Sequence, residues 1–133
     1  MHAVDENFED SRQAAHFLRS TLMELGASDV QLLPSGPGTN PIVLGTFHAP
    51  HPRKRCLFYG HYDCVPAGDG WDSDPWDLSG RDGYLYGRGV SDNKGPILAV
   101  AYAASELLYE RKLDIDVVML IEGEQESGSK PLQ

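Results

Sequence analysis

Apolar residues at Ala15, Leu18, Leu22 and Leu25 recur every three or four positions, which predicts an amphipathic helix over 8–25 with Gly26 as its stop. The stretch DVQLL alternates weakly, SGPGTNP carries turn signals throughout, and IVLGTF reads as a strand returning beside DVQLL. RKRCLFYG, basic and then apolar, fits a buried strand with a charged solvent end, bounded by Gly60. The Asp-Gly of DGYLY predicts a hairpin turn. Over 96–109, Ile97, Val100, Ala101, Ala104, Leu107 and Leu108 share one helical face, and Pro96 suits a first turn. The unbroken apolar run IDVVMLI, 115–121, has the length and β-branching of a strand buried on both faces. Strand, helix, strand in that order predicts an α/β fold, a mostly parallel sheet with flanking helices, whose ligands gather beyond the carboxyl ends of the strands.

Composition narrows the function classes. A chain of 133 residues, 41% hydrophobic, suffices for one compact domain or part of one. A formal charge of −9, with no basic stretch beyond RKR, argues against a phosphate-binding surface and therefore against nucleic acid as a partner. The run ILAVAYAA is far shorter than the roughly 20 residues a membrane helix needs, and MHAVDENFED lacks the basic and apolar regions of a signal peptide. A soluble, cytoplasmic protein is expected. Cys56 and Cys64 form neither a C-x-x-C pair nor a disulfide framework and read as reduced packing residues.

Three polar clusters fall where the strands should end. His61 and Asp63 are two apart, so an extended backbone points both to one side, and the pair suits a metal-ligating histidine whose tautomer is fixed by a carboxylate. The plain alternative is a loop histidine beside a solvated aspartate. In GRGVSDNKGP, Asp92 or Asn93 would also serve as an ordinary helix N-cap, while Gly87, Gly89 and Gly95 point to close backbone approach. There is no P-loop, because Lys94 precedes its glycine. In IEGEQESGS, Glu122, Glu124 and Glu126 alternate, which costs repulsion unless a cation or solvent relieves it. Taken together, His, Asp and Glu are ligand types that suit zinc, with manganese or cobalt as substitutes.

The segments FYGHYDCVPA, WDSDPWDL, DGYLYGRGVSDNKGP and IEGEQESGS resemble, in order and approximate spacing, the dinuclear zinc peptidases that include carnosinase, aminoacylase and carboxypeptidase G. The resemblance is strongest to the carnosinase-type dipeptidases and the fungal Dug2-type subunit of the glutathione-degrading complex. It implies a zinc exopeptidase-like catalytic domain holding two zinc ions, with His61 on one, Asp92 bridging both, Glu126 on the other and Asp63 orienting His61. It further implies hydrolysis of the amide bond of dipeptides or small peptides, with Cys-Gly or glutathione-related substrates. Assembly as a homodimer or within a hetero-complex would use regions outside this chain.

Two departures qualify that expectation. The general-base glutamate of the family falls at position 125, where this chain has Gln125, and a carboxamide cannot accept a proton near neutral pH. Three accounts stand open: an accidental or engineered change, a subunit kept as a non-catalytic scaffold, or Glu124 turning inward to act as base. The last conflicts with the alternation of an extended segment. The family's later aspartate, its histidine nearer the C-terminus and its lid or dimerisation domain have no counterpart here. His48 and His51 lie in HAPHPRKR between two strands and read as a solvated turn; His2 and His16 read as surface residues. Residues 1–133 are thus expected to be the N-terminal part of a longer catalytic domain that cannot alone hold two zincs tightly. Its strand 115–121 should then stand as an unpaired apolar edge that invites association.

Overall fold

The computed structural model describes residues 3–133, with side chains from residue 9 onward; His2 lies outside the described residues. Helix α1 spans Ala3–Glu24, and Ala15, Leu18 and Leu22 on its apolar stripe are fully packed. It ends at Gly26, whose φ of 94° lies in the left-handed region that glycine enters without a Cβ penalty. Strands β1 (Ser28–Leu33) and β2 (Ile42–Phe47) then pair antiparallel across the SGPGTNP loop. Strand β3 is Lys54–His61. Asp82 and Gly83, at φ 52° and 81°, turn the hairpin of β4 (Ser79–Arg81) and β5 (Tyr84–Tyr86), as the Asp-Gly pair predicts. Helix α2 is Gly95–Tyr109, and β6 is Ile115–Glu122.

The main sheet has the order β1-β2-β6-β3. The α/β class stands, but the sheet is mixed: β3 runs parallel to β6, while β1–β2 and β2–β6 are antiparallel. The connection carrying α2 supplies the parallel pairing, since a parallel neighbour requires a long crossover. Two edge expectations change with this order. Strand β6 is central, flanked by β2 and β3, so the run 115–121 is no unpaired edge. Among the described residues β3 is an edge strand, as β1 is at the other side, and it is not buried: Leu57 and Tyr59 are 62% and 47% exposed, and Cys56 is exposed too. Cys56 is therefore not a packing residue, whereas Cys64 is half-buried.

Both helices cover one face of the sheet. Val43, Phe47, Val117, Met119 and Ile121 point into this layer and meet Leu18 and Leu22 of α1 and Ile97, Ala101 and Ala104 of α2. Leu107, expected on the packed face of α2, is 42% exposed. The other face of β6 is only half-buried at Val118 and Leu120, so the strand is fully covered on one side alone. Among the described residues no helix is long and apolar enough to cross a membrane.

Candidate metal centre

Strands β3 and β6 run side by side in register from Lys54 and Ile115 to His61 and Glu122, which brings the first and third polar clusters to one end of the sheet. His61 is buried there, 6% exposed. Its backbone N–H donates to Asn93 Oδ1 at 3.2 Å, tying the strand end to the segment before α2. That approach depends on Gly60. A Cβ at this position would stand 2.7 Å from Asn93 Oδ1 and 2.8 Å from Ile97 Cγ1, closer than real side chains come.

The imidazole is held from both sides. Nδ1 lies 3.2 Å from Asp63 Oδ1 and 3.3 Å from the Asp63 carbonyl, while Nε2 lies 2.9 Å from Asp92 Oδ1. Asp63 also joins two loops, because its Oδ2 accepts the backbone N–H of Glu126 at 2.9 Å. The extended-segment argument for His61 and Asp63 thus describes the observed convergence. Asp92 sits in one wide helical turn, Val90–Lys94, with an extended φ/ψ of −130°/93°, and its side chain is 77% exposed. The Asp92–Asn93 peptide is cis. The N-cap reading of these two residues fails: the cap position of α2 is Lys94, with no side-chain cap hydrogen bond, while Asp92 and Asn93 both turn to His61.

The three glutamates do not form one cluster. Glu122 is 1% exposed and accepts from the hydroxyls of Tyr59 and Ser129 on Oε1, while Oε2 is buried with no partner among the described residues. Burial, together with the bond to Glu122 and partly offset by Ser129, pushes the Tyr59 phenol above its ordinary range, so Tyr59 stays the donor. Glu124 turns to the β1–β2 loop, where Oε1 accepts the Asn40 N–H at 2.7 Å and Oε2 accepts Ser127 Oγ at 2.9 Å. Both oxygens of Glu124 are thus engaged away from His61. Gln125 and Glu126 are exposed and open the short turn Gln125–Ser127. Glu126 reaches the site through its backbone. Beside it, burial first and the charges of Asp63 and Glu124 next push the Tyr62 phenol well above its usual range; its hydroxyl donates to the Pro41 carbonyl at 2.6 Å.

Among the described residues no three His, Cys, Asp or Glu side chains converge to hold a metal ion. What converges is one imidazole nitrogen beside one carboxylate oxygen, with the second imidazole nitrogen held by another carboxylate. That donor chemistry fits a divalent cation and amounts to part of a ligand set. His48 and His51 stand at the opposite end, as expected: His48 lies 3.5 Å from Asp29 and from Asp116. His16 is exposed. Sequence reading passed over Asn93 as a positioning group and Gly60 as a clearance; the glycine inside a strand pattern, read only as a boundary, was the available signal.

Residues 57–132, more than half of the chain, match the model of peptidase family M20/M25/M40. The chain belongs to this family of peptidases. It is 39% identical over 132 residues to the probable di- and tripeptidase DUG2 of Saccharomyces cerevisiae, covering 92% of this chain and 15% of that protein. It is 40% identical over 124 residues to human Beta-Ala-His dipeptidase, covering 85% of this chain and 24% of the relative. Among solved structures, human carnosine dipeptidase 1 superposes with a TM-score of 0.82 at 36% identity over 93% of this chain and 28% of that one. The di-peptidase Dug1p of Saccharomyces cerevisiae superposes with a TM-score of 0.80 at 31% identity, covering 93% of this chain and 29% of that one. The chain therefore spans between about a seventh and three tenths of the length of these proteins. Metallodipeptidases are prominent among its relatives, and the family implies a divalent metal.

Proposed function

We propose that this chain is the N-terminal part of the catalytic domain of a zinc-dependent metallopeptidase that cleaves the amide bond of dipeptides or small peptides, Cys-Gly and glutathione-related peptides among them. The observation that carries the reading is the imidazole of His61 held on one nitrogen by Asp63 while its other nitrogen faces Asp92 at 2.9 Å. In this reading His61, Asp92 and Glu126 hold two zinc ions together with ligands from polypeptide outside the chain; manganese or cobalt would substitute. The zinc ions supply Lewis acidity toward a substrate carbonyl when bound. Asp63 fixes the tautomer of His61 and, through the Glu126 N–H, the position of the third cluster. Lid and dimerisation regions would likewise lie outside these residues, with assembly as a homodimer or hetero-complex in the cytoplasm.

Gln125 sets the level of activity. It occupies the general-base position, and Glu124, its acidic neighbour, is committed to Asn40 and Ser127. Loss of a general base costs about 10²–10⁴ in rate. The same observation favours a second reading, a peptidase-like subunit retained as a non-catalytic scaffold of a peptide-degrading complex. Restoring the acid separates the two. In the intact polypeptide, Gln125→Glu should raise zinc-dependent Cys-Gly hydrolysis by about 10²–10⁴. A variant that still binds zinc yet gains nothing would leave the scaffold reading standing.

A further inference from the structure

A cavity of about 610 Å³ opens between α1, the loop after β3, the β4–β5 hairpin and the start of α2. His61, Asp92 and Glu126 do not line it; Asp63 alone is shared with the candidate metal centre. Tyr62, Val90 and Leu98 form apolar walls, and Leu78, Leu85 and Trp76, all exposed, stand at the mouth. The volume lies in the range of small-molecule sites, about 300–1,000 Å³.

The charged residues that line it are not equivalent. Arg88 donates to the Ala67 carbonyl at 2.7 Å and stacks over Trp71, so its guanidinium is anchored, although among the described residues its Nε is buried without a partner and it too lacks an acid. Both carboxyl oxygens of Asp63 are taken, one by His61 and one by the Glu126 N–H. Asp10 stands exposed on α1. Lys94 is half-buried and has no acidic partner among the described residues. Its ammonium is seated over Gly89: a Cβ there would lie 2.6 Å from Nζ and 3.5 Å from Cys64 Cβ. Gly89, at φ 80°, thus leaves the space in which the ammonium sits, and the cavity holds a lysine with no acidic partner among the described residues.

We propose that this cavity binds a small monocarboxylate with an apolar body, its carboxylate on Lys94 and its hydrocarbon against Tyr62, Val90 and Leu98. The pairing follows from charge and shape together. The ammonium of a half-buried lysine gains most from a charged acceptor, and the apolar walls gain from displaced water. Apart from Asp63 the site shares none of the candidate metal-centre residues, and it does not depend on the peptidase reading. Its occupant would nevertheless rest against Asp63, the group that orients His61.

The test is calorimetric titration of the full chain with 4-phenylbutyrate and with 4-phenylbutanol, which keeps the body and lacks the charge. Saturable one-site binding of the acid is expected, with the alcohol weaker by about tenfold or more. Lys94→Met should bring the acid down to the level of the alcohol, Lys94→Arg should retain the preference, and Leu98→Trp should remove binding of both by filling the cavity. Equal binding of acid and alcohol, absence of binding, or indifference to Leu98→Trp would overturn the proposal. So would an acid affinity that falls as chain concentration rises, which would mean that a second copy covers the cavity. Should Lys94→Met fail to fold by circular dichroism, the acid and alcohol pair on the unaltered chain, with Leu98→Trp, decides the matter.

Discussion

Strand β6 carries two buried acids, Asp116 near its start and Glu122 at its end, 4% and 1% exposed, and the fold treats them differently. Asp116 accepts from the Ala49 N–H at 3.1 Å and from Arg55 Nη2 at 3.2 Å, and His48 Nδ1 stands 3.5 Å away. Burial raises the affinity of its carboxyl for a proton, but Ala49, Arg55 and His48 together outweigh burial and hold it below the usual aspartate range. Glu122 has two hydroxyls on one oxygen and, among the described residues, no partner on the other. One end of the sheet is therefore closed by its own polar groups, pinning the β2–β3 connection to the strand between its flanks. The end that gathers His61, Asp63 and Asp92 keeps hydrogen-bonding capacity in reserve. A buried acceptor without a donor costs stability, and such costs concentrate where a fold serves something besides itself.

The comparison can be broken most sharply at Gly60. Gly60→Val forces a side chain into Asn93 and Ile97, and should cost about 3 kcal/mol in urea unfolding. Divalent-metal affinity of the intact polypeptide should fall with it, while the contacts around Asp116 at the other end survive. Asp116→Asn should have the next largest effect, and its signature is pH dependence. A carboxyl whose folded pKa is depressed contributes its full stabilisation above the unfolded value, about 3.9, and loses it as pH falls through the lower folded value. Thermal unfolding followed downward from pH 5 should therefore show an acid-side loss in the parent that is blunted in the variant. Glu122→Gln should do least, changing stability by less than about 1 kcal/mol, because the amide keeps one acceptor for Tyr59 and Ser129. A loss at Glu122→Gln as large as that at Gly60→Val would erase the distinction between the two ends.

Most of the elements were legible because their signals are local. The three- and four-residue spacing in α1 and α2, the Asp-Gly turn of the β4–β5 hairpin and the β-branched run of β6 each specify an element within a few residues. Pairing order was not legible, since nothing local says that β6 inserts between β2 and β3. Reading β3 as buried followed from its apolar letters, yet an edge strand with one covered face exposes Leu57 and Tyr59 regardless. At the site, His61 with Asp63 was legible because a separation of two in an extended segment has one geometric outcome. The glutamate alternation misled, because the segment leaves the strand after Glu122: three carboxyls that share a side on paper turn to Tyr59, to Asn40 and to solvent.

The position of β6 has a kinetic consequence. Its partners are made long before it: Val43 pairs with Ile121 and Lys54 with Ile115, so neither half of the sheet has its central strand until residue 122 has left the ribosome. Helix α1 and the β1–β2 hairpin can form early, whereas β3 must wait through the whole hairpin and α2 for a neighbour. Non-local pairings of this kind slow folding and lengthen the time during which apolar strands stand open. Nascent chains of this protein should therefore lean on chaperones until β6 closes the sheet.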